Sequence, residues 1–268
     1  MERVISREYK LVLKATKFRV TGEGLIDRAI VFWNQLKKAG APLIRICVGQ
    51  LDNIRIRREI RFFDTKNLLL YSHDYIFRER KDIGSDKREV TLKFRHPDRY
   101  VAQHRDMKSK GANAATKFEE DIKAIFLKLY SFSTTRSIDP SRQLKELRHI
   151  MKLYPGLAGA LDSYQKKEGI HLVNDMAIKE VVITGGFIPV CFNPLIYAEC
   201  ALIIWSDLSV SNAEPLIVEF SFRYGEKKEK FSGEAAQNSY DLFLLIQENM
   251  KSWIDSKGKT KTGFVYDQ

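Results

Sequence analysis

The sequence predicts an α+β fold, an antiparallel β-barrel with helices around it and a helical insert at about residues 97–176. Three observations predict it. Segments on both sides of the insert alternate apolar and polar residues with period two, the mark of half-buried strands. Helical stripes fall between runs of strands and do not alternate with them one for one, so the pattern is not βαβ. Several strands also repeat a charged face opposite an apolar one.

The elements follow in order. In residues 4–14, Tyr9, Leu11 and Leu13 share one face and Glu8, Lys10, Val12 and Lys14 the other, a strand. Thr21 is a plausible N-cap for a helix over 24–40, with Leu25, Ile26, Ala29, Ile30, Trp33 and Leu36 as its stripe and Gly40 and Pro42 ending it. Strands are expected at 43–49 and 54–63, where Ile54, Ile56, Ile60 and Phe62 oppose Arg55, Arg57, Glu59 and Arg61. Residues 64–74 read as a turn region. A strand follows in which Arg78 and Arg80 share a face, then a turn over 83–87. The next strand sets Glu89, Thr91, Lys93 and Arg95 against Val90, Leu92 and Phe94. Within the insert, Phe118, Ile122, Ile125, Phe126 and Leu129 stand at helical spacing, and Asp139 with Pro140 opens a second helix. Residues 155–169 give a further short helix. Strands resume from 179, with Gly185-Gly186 read as a strand turn, and Val218, Phe220, Phe222 and Tyr224 alternate with Glu219, Ser221 and Arg223. A helix from about Ala235 to Trp253 and a short final strand complete the single expected domain, 1–268.

The chain is 44% hydrophobic and 29% charged, which supports a globular core. Its 45 Lys and Arg against 34 acids favour anionic partners. Cys47, Cys191 and Cys200 lack metal or disulfide spacing, and the five histidines show no ligand pattern. No signal peptide or spanning run is evident, so the expected location is cytoplasmic, with no membrane partner. If helices cover the apolar faces from outside, Lys10, Arg78, Arg80, Lys93 and Arg95 line the barrel's interior. Like cations there are costly without an anion or interleaved carboxylates, and a linear phosphate chain meets that need.

The middle of the chain resembles the CYTH, or triphosphate-tunnel, superfamily. Phe62, Phe63, Asp64 and Thr65 match its aromatic-aromatic-acid-Thr turn, Arg78 and Arg80 its Arg-x-Arg, and Thr91 and Lys93 its Thr-x-Lys. At the start, Glu8 and Lys10 fit the second and third positions of Glu-x-Glu-x-Lys, with Ser6 at the first. Later, Glu219 is retained from a Glu-rich strand, Asp207 aligns with an acid that precedes it, Lys179 with a basic residue, and Lys259 with the lysine of a C-terminal Ser-Lys-x-x-Arg-Gly-Tyr element.

The resemblance implies a tunnel that binds triphosphate or polyphosphate and hydrolyses inorganic or organic triphosphates with Mg²⁺ or Mn²⁺. Lys10, Arg78, Arg80, Lys93, Arg95 and Lys259 would bind phosphate; Glu8, Glu219 and Asp207 would hold metal. Ser6, Ser221 and Arg223 depart from that pattern by removing carboxylates and adding a cation. A non-catalytic binder of polyphosphate, nucleotide or an RNA 5′-triphosphate is therefore the alternative, together with a class IV-type adenylate cyclase. Arg55, Arg57 and Arg61 either line the tunnel mouth or face water. Arg136, Arg142, Arg148 and Lys152 of the insert read as a solvated face.

Overall fold

The structure is a computed structural model that describes residues 2–20, 24–41, 43, 47–111, 113–161, 166–225 and 231–267. Thr21, Pro42 and residues 44–46 of the expected 43–49 strand lie outside the described residues.

Nine strands close into one barrel. They are β1 (Ser6–Leu13), β2 (Val48–Thr65), β3 (Tyr75–Asp82), β4 (Arg88–His96), β5 (Ala114–Lys123), β6 (Leu127–Ile138), β7 (Ile170–Phe192), β8 (Leu195–Asp207) and β9 (Pro215–Gly225). Around the barrel the order is β1-β5-β6-β4-β3-β2-β7-β8-β9, and β9 returns to β1. The expected α+β barrel is the fold observed. One pair departs from the antiparallel expectation: β1 and β5 run parallel, with Glu8 beside Asp121.

The alternation puts the apolar faces outside, where helices cover them. α1 (Gly24–Ala39) and α6 (Gly233–Asn249) lie over β1, β8 and β9. Phe32 of α1 meets Phe220 edge-on with ring centroids 5.2 Å apart, while Tyr9 stacks on Phe222 and touches Phe243 of α6. Burying a side chain of this size contributes about 1.5–3 kcal/mol. A second apolar layer sets Phe77, Val90, Leu92, Phe94, Phe118 and Phe132 under α4 (Leu147–Leu153) and α5 (Gly156–Ala160). There the Tyr154 hydroxyl shares its one proton between the carbonyls of Val90 and Thr134, at 3.0 and 3.1 Å, and ties the helix layer to β4 and β6.

The expected helical insert is corrected in its middle. Residues 115–130 form the β5–β6 hairpin, two staves of the barrel, and the short helix α3 (Arg99–Gln103) precedes them. The i, i+4 spacing of Phe118 and Ile122 is even, so a strand also puts both on one face. Between them sits Glu120, buried on that same outer face by an ion pair of 2.6 Å with Arg7. A charge at that position masks the strand alternation. Ile125, 88% exposed, belongs to the turn. The second insert helix starts at Leu147 and not near Asp139. Asp139 instead holds a turn by accepting from Ser141 N, and Glu146 caps α4 in a box with His149.

Two further expectations change. Gly185-Gly186 is no turn. Both residues lie within β7, at a bulge where its register shifts against β2 and β8. Gly185 has φ +116°, and a Cβ on Gly186 would stand 2.9 Å from the Trp33 ring, so the pair lets α1 seat against the barrel. The chain end is a helix, α7 (Lys261–Tyr266), not a strand, because the Thr260 side chain accepts from Gly263 N and caps it. Between β2 and β3 the turn region holds the one-turn helix α2 (Leu69–Ser72). Asp64 staples it by accepting from the N–H groups of Thr65, Leu70 and Tyr71.

Candidate functional site

The barrel's inner face is built by the opposite set of alternating residues. Register across the sheet places Lys10 beside Lys123 on β5, Lys93 beside Ser133 on β6, and Arg78 beside Thr91 on β4. Lys10, Arg78, Arg80, Lys93 and Arg95 therefore converge in the interior, as expected.

Asp121 organises this wall. It is fully buried and lies 2.8 Å from Lys10 Nζ, 3.4 Å from Lys93 Nζ and 3.9 Å from Arg95 Nε, and it accepts from Ser131 Oγ at 2.6 Å. Burial pushes its carboxyl up, but Lys10, Lys93 and Arg95 overcome that and hold it well below the usual carboxylate range. One carboxylate does not satisfy the wall. Burial and then Arg95 press Lys93 down to about 7, and the same two causes bring Lys123 to about 8. Burial and then Arg58 bring Arg80 to about 10, while burial and Arg80 hold Arg78 well below its ordinary value. The Arg80 Nε is buried without a hydrogen-bond partner. In each case burial is the largest cause and a cationic neighbour the second.

One end of the interior is closed by α7. Val265 and Tyr266 pack on Ile60, Phe62, Ile76, Ile178, Trp205 and Ile217, the inward apolar residues at that end. From the same helix Lys261 reaches Glu219 at 2.7 Å, and Thr262 accepts from Arg95 at 2.7 Å. Lys259 is corrected: it is exposed on the loop before α7 and bonds the Asp267 carbonyl, so Lys261 supplies the interior lysine. Lys179 lies on the outer face, and with Arg57 it rims a cavity of about 680 Å³ between the start of α1 and β2, β7 and β8. Arg61 faces outward to Glu59 and Glu79, whereas Arg55 reaches the mouth and pairs with Glu199 at 2.8 Å.

The opposite end is a mouth of about 390 Å³ lined by Ser6, Lys117, Glu119, Tyr197, Glu199 and Arg223. Its acids escaped sequence reading. Glu119 and Asp121 sat in the segment read as a helix, and Glu199 lies in a strand read for its apolar run. The alternation of Lys117, Glu119 and Asp121 was the available signal.

The expected metal ligands do not assemble. Glu8 pairs with Lys10 at 2.9 Å. Glu219 is paired with Lys261, a contact without hydrogen-bond alignment. Their backbones are also apart: Glu219 faces Val12, four residues along β1 from Glu8, a strand rise of roughly 13 Å between their Cα positions. A Mg²⁺ ion takes oxygens at about 2 Å. Asp207, at the end of β8, accepts from Ser209 N and Oγ in its own turn. Among the described residues no three of His, Cys, Asp and Glu gather as a metal site. The donor set does not fit Mg²⁺ or Mn²⁺.

No family model and no curated protein matches this chain. Among solved structures it is similar to a Hippeastrum protein, a candidate adenylyl cyclase described as having dominant triphosphatase activity. The TM-score is 0.45 at 11% identity, over 97% of this chain and 95% of that one. It is also similar to a candidate adenylate cyclase from Bacillus halodurans (TM-score 0.42, 10% identity, 98% and 100% covered) and one from Vibrio parahaemolyticus (0.36, 8%, 97% and 97%). Among the described residues no helix is long and apolar enough to cross a membrane.

Proposed function

We propose that the barrel interior binds a linear phosphate chain, a triphosphate or polyphosphate, threaded from the Ser6–Arg223 mouth toward α7. One observation carries this reading. Arg78, Arg80 and Lys123 face inward with no ion pair among the described residues, and Lys93 and Lys123 are held down by burial and then by Arg95, a cationic neighbour. Lys10, Arg58, Arg78, Arg80, Lys93, Arg95, Lys123 and Lys261 stand against Glu8, Glu89, Asp121, Glu180 and Glu219, with Arg58 held by Glu180. A triphosphate supplies a comparable negative charge, and arginines bind its oxygens through charge-assisted, often bidentate hydrogen bonds.

The same wall neutralises charge that develops on a transferred phosphoryl group, so the reading extends to hydrolysis of a phosphoanhydride bond. Binding without turnover is the second reading, favoured by the lysines that already hold Glu8 and Glu219. Nucleotides and RNA 5′-triphosphates share the ligand group and are the organic candidates.

Calorimetry with tripolyphosphate tests the binding. The expected result is binding at low salt that is lost in the Arg78→Ala/Arg80→Ala variant. No binding, or equal binding by the variant, overturns the proposal. Phosphate release from tripolyphosphate or a nucleoside triphosphate then separates hydrolysis from binding alone, and cyclic AMP formed from ATP would identify a cyclase.

A further inference from the structure

The mouth already contains a cation of its own. Arg223 on β9 faces Glu8 across the β1–β9 pair and Glu199 across the β8–β9 pair. Its Nη2 donates to Glu199 at 3.1 Å, and Nη1 lies 3.9 Å from Glu119 Oε1. Two strands, β5 and β8, thus direct a carboxylate onto one guanidinium, while Glu8, across the β1–β9 pair, is held by Lys10 at 2.9 Å. Ser6 completes the arrangement by donating from Oγ to Glu119 Oε1 at 2.9 Å. A carboxylate at position 6 would face Glu119 with like charge, whereas the hydroxyl satisfies it. The second departure, Ser221, removes another acid beside Lys10. All three departures from the Glu-rich pattern therefore point the same way: fewer acids, and one resident positive charge among those that remain.

We propose that Arg223 is a built-in cation held between Glu119 and Glu199, in the place a divalent ion would need, so that the mouth operates without Mg²⁺ or Mn²⁺. Together with Arg55 on Glu199, the guanidinium neutralises the carboxylates that would otherwise repel an entering phosphate chain. It is tethered to β9, so unlike a metal ion it cannot be removed by a chelator or travel in with the ligand. The role in phosphate entry rests on the function proposed above; the exclusion of metal does not.

The test is a titration of Mn²⁺ alone, read by the EPR signal of the free ion, with no phosphate present. Its outcome is thus independent of whether the interior takes a phosphate chain. The wild-type protein is expected to leave the free-ion signal unchanged. Arg223→Glu is expected to cause its loss, and Arg223→Glu/Glu119→Gln to restore it. Should circular dichroism show Arg223→Glu unfolded, Arg223→Gln takes its place with the same expectation. Depletion of the signal by the wild-type protein overturns the proposal, and so does a folded Arg223 variant that leaves the signal unchanged.

Discussion

Asp121 accepts more from its neighbours than any other acid in the interior, and its removal has a definite cost. Asp121→Asn leaves Lys10, Lys93 and Arg95 buried around a neutral amide. Breaking a buried ion pair from one side costs about 3–5 kcal/mol. Chemical denaturation of the variant is expected to show a loss in that range, partly restored by tripolyphosphate. Lys93 gives a prediction of the opposite sign. Folded, it gives up its proton near pH 7, while an unfolded lysine holds it to about 10.4. The unfolded chain binds more protons across that window, so the ligand-free protein gains stability as pH rises from about 7 to about 10. Thermal melts across that range check it. A phosphate chain reverses the preference by favouring charged Lys93 and Lys123. Binding at pH 8 should therefore take up protons, read as a dependence of the calorimetric enthalpy on the buffer's ionisation heat.

At the level of elements, legibility tracked how cleanly each face was patterned. β1, β3, β4 and β9 could be read because most of their residues alternate polar inside and apolar outside, with Ile76 and Ile217 on the inner face and Arg7 and Glu79 on the outer one among the exceptions. The β5–β6 hairpin could not, because the Arg7–Glu120 pair places a charge on the outer face. α7 was missed because a six-residue helix carries little periodic signal, and its cap rests on the single hydroxyl of Thr260. The site followed the elements: the cations on well-patterned strands were found, while Glu119, Asp121 and Lys261 were hidden with the hairpin and the last helix. The α1 layer tests the packing argument. Phe32 is fully buried against Phe18, Phe220 and Trp253. Phe32→Ala should cost about 3–5 kcal/mol, measured by denaturant unfolding, because the barrel wall beneath it cannot collapse to fill the space.

For the whole molecule, the net charge of +11 and the cationic interior act together. The charge excess draws polyanions to the surface, but exposed charges are screened within about 8 Å at physiological salt, and buried ones much less. Tripolyphosphate binding should therefore keep a salt-resistant component that Arg78→Ala/Arg80→Ala abolishes, while the association rate falls steeply with added salt. Stopped-flow measurements over a salt series check both parts.

The placement of β1 between β5 and β9 has a consequence for how the chain reaches this state. Ser6 pairs with Glu119 on one side and Gly225 on the other. The ring therefore cannot close until β9 has emerged from the ribosome. A nascent chain ending before β9 has no interior, and its cations stay hydrated in the open. Contacts this distant in sequence place such a fold among slow folders, on the order of milliseconds to seconds. Like charges gathered by the final closure resist that step, so a polyanion present during synthesis would act as a template for it.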